Sequence, residues 1–86
     1  MNRMFIMHSD PGHGWLEVSL SELEDLGIRN RISEYSYRSR AIAYLEEDCD
    51  APLFINAYKE KYGCEPWIQS RYSDYGSFIR GLGRYY

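Results

Sequence analysis

The spacing of apolar positions changes along this chain, and each change marks an element. Residues 4–8 (MFIMH) form an apolar, β-prone run. At 15–18 Trp and Glu alternate with Leu and Val, the two-residue period of a half-buried strand. The intervening DPGHG carries a proline and two glycines, which is strong turn chemistry, so 4–18 reads as a β-hairpin with a five-residue loop. From Ser19 the period lengthens. Leu20, Leu23 and Leu26 share a helical face, Ser19 and Glu22 fit the capping box, and Gly27 suits the helix end. At about two turns, this helix depends on packing for its stability.

Alternation then returns in ISEYSYRSRAIAYLEE. Tyr35 and Tyr37 alternate with Ser36 and Arg38, and Ile42 and Tyr44 alternate with Ala41, Ala43 and Leu45, around a turn near Ser39 and Arg40. DAPLFINAYKEKYG predicts a second helix over 51–62. Asp50 is its expected N-cap, Pro52 sits in its first turn, Leu53, Phe54, Ala57 and Tyr58 form a buried stripe, and Gly63 stops it. Lys59 and Lys61 fall toward the negative end of its dipole. Residues 66–72 read as another strand, and SFIR at 77–80 as a short edge strand. The expected fold is α+β, in the order ββ-α-ββ-α-β. It has a small antiparallel sheet of four to five strands with two helices packed on one face.

Length confines this pattern to a single domain over 1–86. So small a domain buries only roughly 60–65% of the surface its unfolded chain exposes. The chain has fourteen aromatic residues, nine of them Tyr, so not all of Trp15, Tyr35, Tyr37, Tyr44, Tyr58, Tyr72, Tyr85 and Tyr86 can be hidden. Net charge is −3, too mild to imply nucleic-acid or membrane affinity for the chain as a whole. Charge is unevenly spread. Glu46, Glu47, Asp48 and Asp50 form an acidic knot, whereas the last sixteen residues set Arg71, Arg80 and Arg84 against Asp74 alone. MNRMFIMHSD contains an apolar run of only four residues, too short for a signal peptide, and no run approaches a membrane span. The expectation is a soluble protein of the cytoplasm that does not engage a membrane.

Candidate chemistry is sparse. DPGHG resembles the run that opens the zinc site of cell-wall amidases. Catalytic zinc needs three protein ligands and an open position, however, and the chain has only His8 and His13 as histidines. The run reads instead as a turn in which Asp10 bonds nearby backbone N–H groups, or as a partner-contacting loop with Trp15 as anchor. Cys49 and Cys64 flank opposite ends of a helix spanning about 18 Å, too far apart for a disulfide, so both are expected as free thiols. The acidic knot lacks the glycine and the terminal Glu of a calcium loop. It fits helix capping or attraction of a basic partner. RYSDYGSFIRGLGRYY mixes Arg, Tyr and Gly, a composition found both in single-strand binders and at protein interfaces. No catalytic residue, metal ligand or cofactor site is expected. The candidate partner-binding residues are Asp10, His13, Trp15, Glu46, Glu47, Asp48, Asp50, Arg80, Arg84 and Tyr85.

DPGHGWLEV, LGI, ISEYSY and AYLEEDCDAPLF together resemble a family of small proteins carried by bacteriophages and other mobile elements, over roughly residues 8–63. The resemblance implies a phage or prophage origin and brings no activity or catalytic residues. Small accessory proteins of such elements often bind and block a host protein. The expected function is therefore non-enzymatic binding and inhibition of a host protein in the host cytoplasm, with an anti-CRISPR-like, anti-defence role as its sharpest form. A homodimer would use the same surface features. The alternative is a small nucleic-acid-binding module built on the Arg/Tyr-rich C-terminal segment.

Overall fold

The computed structural model describes residues 4–86. Its first hairpin joins β1 (Met4–Ser9) to β2 (Gly14–Ser19) through a loop at 10–13, with His8 opposite Trp15 and Ile6 opposite Glu17. Helix α1 (Leu20–Asp25) follows at once. The Ser19 hydroxyl accepts the Glu22 N–H at 3.2 Å, which supplies the Ser19 half of the expected capping box. Leu20 and Leu23 are buried, as their spacing requires. After a 3-10 turn (Arg29–Arg31) the second hairpin pairs β3 (Tyr37–Ser39) with β4 (Ile42–Glu46). Arg40 turns this hairpin with φ 55°. Helix α2 (Asp50–Tyr62) ends at Gly63, and β5 (Trp67–Tyr72) follows.

The α+β class and the two helices agree with the sequence pattern, but the sheet does not match in number or direction. Among the described residues it has six strands, in the order β5-β1-β2-β4-β3-β6, where β6 is Gly83–Arg84. It is also mixed, because β5 pairs parallel to β1, with Met4 beside Trp67 and Ser9 beside Tyr72. The long crossover through α1, the second hairpin and α2 makes a parallel return possible, since parallel neighbours need such a connection. The SFIR segment is not an edge strand. Phe78–Gly81 forms a 3-10 turn, capped by the Ser77 hydroxyl accepting the Ile79 N–H at 3.3 Å.

Strand alternation gives the sheet two faces with different roles. One face supplies Phe5, Leu16, Val18, Ala43 and Leu45 to a core closed by Leu20 and Leu23 of α1 and by Ala51, Phe54 and Tyr58 of α2. Phe5 meets Phe54 and Tyr58 edge-on at 5.1 and 5.8 Å. The opposite face carries His8, Trp15, Glu17, Tyr37 and Tyr44, and neither α1 nor α2 covers it. The C-terminal segment covers part of it instead. It leaves β5 at one edge, crosses the open face with Ile79 packed on Trp15 and Tyr44, and reaches β6 at the far edge. This strap is what the strand-like look of the tail concealed. No helix of the described residues is long and apolar enough to cross a membrane.

Asp50 corrects a further expectation. Cys49 occupies the N-cap position of α2 without a side-chain hydrogen bond, and Asp50 is the first helical residue. Its side chain turns inward, is 2% exposed, and accepts from the Ser33 N–H, the Ser33 hydroxyl and the Ser36 hydroxyl. A carboxylate engaged in this way cannot serve as a partner-binding residue.

Candidate functional site

DPGHG proves to be a turn with a latch. Asp10 Oδ1 accepts the N–H groups of Gly12 and His13 at 2.9 and 3.0 Å, the local turn its residue type suggests. The other oxygen reaches across the fold, accepting the Ser77 N–H at 2.9 Å and the Arg80 Nε–H at 2.7 Å. Arg80 Nη2 donates to Oδ1 at 2.8 Å, completing a bidentate pair. The Arg80 guanidinium, followed by the Ser77 amide, holds the Asp10 carboxyl well below the usual carboxylate range. The glycines make room for this arrangement. A Cβ on Gly12 would lie 2.8 Å from Arg80 Nη2, and one on Gly14 would lie 2.7 Å from Glu47 Oε2. The turn therefore admits the strap on one side and the acidic knot on the other.

The latched strap forms one wall of a cleft of about 420 Å³. Trp15, buried at 2% exposure, is among its lining residues. The Arg80 guanidinium lies 5.3 Å from the Trp15 ring, and Tyr37 meets it edge-on at 6.1 Å. Arg84 lies 4.6 Å over the Tyr37 ring. His13, Tyr35 and Glu46 complete the lining. Tyr35 and Arg84 also line an adjoining groove with Glu34 and Tyr86, so the aromatic and guanidinium surface continues past the cleft mouth. Tyr35 and Tyr86 are 61% and 71% exposed.

Six of the ten residues singled out from sequence meet here. Asp10 supports the cleft from behind, while His13, Trp15, Glu46, Arg80 and Arg84 line it. Glu47 and Asp48 are exposed on the acidic turn beside it, where the Asp48 N–H donates to the Glu46 carboxylate. Asp10 and Trp15 are too buried to act as freestanding contacts, and their part is to shape the cleft. Asp50 and Tyr85 lie elsewhere. Tyr85 is 5% exposed, packs in the helix-side core and donates its hydroxyl to the Arg29 carbonyl at 2.7 Å. That burial pushes the phenol pKa up. Tyr35 and Tyr37 were not among the ten. Their alternation was legible, but their place in the cleft depends on a register that sets Tyr37 opposite Tyr44 and Arg84.

Chemically, the cleft offers π faces, two guanidinium groups, one carboxylate and one imidazole, with no serine, threonine or cysteine in its lining. Cys49 and Cys64 are free and exposed. His8 pairs with Glu17 at 2.8 Å rather than with His13, which lies against Trp15. Among the described residues no group of three or more His, Cys, Asp or Glu side chains is placed to hold a metal ion. Of the arginines of the C-terminal segment, Arg80 and Arg84 share the cleft lining and Arg71 lies apart from them. Arg71 and Arg84 lie on opposite edge strands, about 24 Å apart at the usual strand spacing, and Arg80 is neutralised by Asp10. Compared with family models, with curated proteins and with solved structures, the chain matches none of them.

Proposed function

We propose that this protein is a non-enzymatic binding protein that docks a partner protein on the cleft and groove around Tyr35, Tyr37, Arg84 and Tyr86. The observation that carries this reading is the meeting of the DPGHG turn, the acidic knot and the strap at one exposed aromatic–arginine surface. Tyr, Trp and Arg are the residue types that dominate binding energy at interfaces. Here their orientations are fixed in advance by the Asp10–Arg80 pair and by Arg84 over Tyr37, which lowers the ordering cost of association. Glu46, Glu47 and Asp48 beside the cleft favour a partner with a basic contact region and raise its association rate. The resemblance to proteins of mobile elements makes a host protein the partner class and its inhibition the outcome, with a defence protein as the sharpest case.

The test is capture from host extract, followed by calorimetry with the purified partner. The double variant Tyr35→Ala/Arg84→Ala should weaken binding by more than about tenfold, the scale of an interface anchor. Glu46→Lys/Glu47→Lys/Asp48→Lys should slow association, and Lys59→Ala, on the exposed end of α2, should leave it unchanged. Affinity retained by both cleft variants, with their folds intact, rejects this surface.

A further inference from the structure

The edge of the sheet farthest from the cleft points to a second interaction, independent of the cleft reading. β5 lies at the end of the strand order, and no described strand pairs with its outer side. Five of its six residues are exposed, with Trp67 at 62% and Tyr72 at 63%; Ile68 alone is partly buried. Natural proteins protect such an edge with lysines, prolines, bulges or short length. Between Trp67 and Tyr72 this strand has no lysine and no proline, and Arg71 is its one charge. The opposite edge, β6, is only two residues long. Among the described residues the sheet thus has one long open edge.

Backbone alternation says which groups face outward. The Ser73 N–H donates to the Ser9 carbonyl at 2.8 Å, so odd-numbered residues of this segment turn their N–H and C=O toward β1. Ile68, Ser70 and Tyr72 therefore direct theirs away from the sheet. We propose that these three residues pair with the same three of a second copy of this chain, antiparallel about Ser70, to make a two-fold dimer with one continuous sheet.

The side chains fit that register. Ser70 faces Ser70 of the second copy, Ile68 faces Tyr72, and Gln69 faces Arg71, so no like charges stand directly opposite. A register centred on Gln69 would instead set Pro66, which has no N–H, against Tyr72 and lose ladder bonds. Because only one edge among the described residues is long and open, self-pairing closes at two copies and does not propagate into a fibre. The seam is a strand ladder with little added surface, so a micromolar dimer is expected.

Sedimentation equilibrium from about 1 to 500 μM should show a reversible monomer–dimer equilibrium. Directly opposed residues in a hydrogen-bonded antiparallel pair have Cα atoms about 5.5 Å apart, within disulfide range. In a Cys49→Ser/Cys64→Ser background, Ser70→Cys should therefore cross-link into a dimer under mild oxidation, and Gln69→Cys should not. Ser70→Pro removes only an outward N–H and should give a monomer with an unchanged circular dichroism spectrum. If that variant misfolds, the cross-linking comparison still decides. A chain that stays monomeric over the whole range, or cross-links equally at both positions, overturns the proposal. Neither result depends on the cleft, whose variants alter partner capture and leave the dimer intact.

Discussion

Asp10 accepts five hydrogen bonds, two from its own turn and three from a segment nearly seventy residues away. The turn bonds were legible in the sequence, because Asp followed by Pro-Gly is a known way to bend a chain. The bonds to Ser77 and Arg80 were not, since nothing local encodes a contact across the whole fold. The consequence of this latch is a pH dependence. The carboxyl of Asp10 is depressed from its ordinary 3.8 in the folded chain, by Arg80 first, and returns to that value on unfolding. A depressed acid stabilises the folded state above its unfolded pKa, and that contribution is lost as pH falls further. Wild type should therefore melt well above Asp10→Asn at about pH 7, and the gap should narrow steadily below about pH 4. Thermal unfolding of the two proteins across that range is the measurement. A gap that stays constant into acid would show that the Asp10 charge contributes nothing.

At the scale of elements, the loop before β3 and the start of α2 are held together by one buried group. Asp50 accepts from the Ser33 amide and hydroxyl, and the Ser36 hydroxyl both donates to Asp50 and accepts the Glu46 N–H at 2.9 Å. The Tyr85 N–H adds the C-terminal end by donating to the Ser36 carbonyl at 2.9 Å. Removing the acceptor strands several donors with little access to water. Asp50→Ala should cost about 3 kcal/mol in urea unfolding, and Asp50→Asn, which keeps one acceptor oxygen, about half of that. A loss under about 1 kcal/mol for the alanine variant would show that water replaces the carboxylate. Sequence pattern found both hairpins and both helices because their signals are local: alternation, a Ser19 cap, a Gly63 stop. It assigned Asp50 to capping because Asp before Ala-Pro is equally good chemistry for either role. It also missed that β5 returns parallel to β1, since alternation identifies a strand without naming its neighbour. The strap was misread for a related reason. Ile79 is buried by Trp15 and Tyr44, and that face is known only once the register is.

For the whole molecule, the arrangement of charge bears on the two binding readings more directly than the total does. In sequence, Arg71, Arg80 and Arg84 look like one basic tail. In the fold, the tail spans the sheet from edge to edge and separates Arg71 from the other two, and Asp10 neutralises Arg80. Arg84 remains in the cleft, over Tyr37 and on the same lining as Glu46. Phosphate binding gains affinity from several cations tracking one backbone, each neutralised phosphate releasing counterions. Arg80 paired with Asp10, and Arg84 on the same lining as Glu46, on a chain of net charge −3, do not supply that term. Fluorescence anisotropy with generic single-stranded and duplex DNA should therefore show no binding below about 10 μM at physiological salt. Any association seen at low salt should have a slope of log K against log[salt] no steeper than about −1. Submicromolar binding lost in Arg80→Ala/Arg84→Ala would mean that the strap unlatches to present its arginines together. That result would move nucleic acid ahead of protein as the partner of this surface.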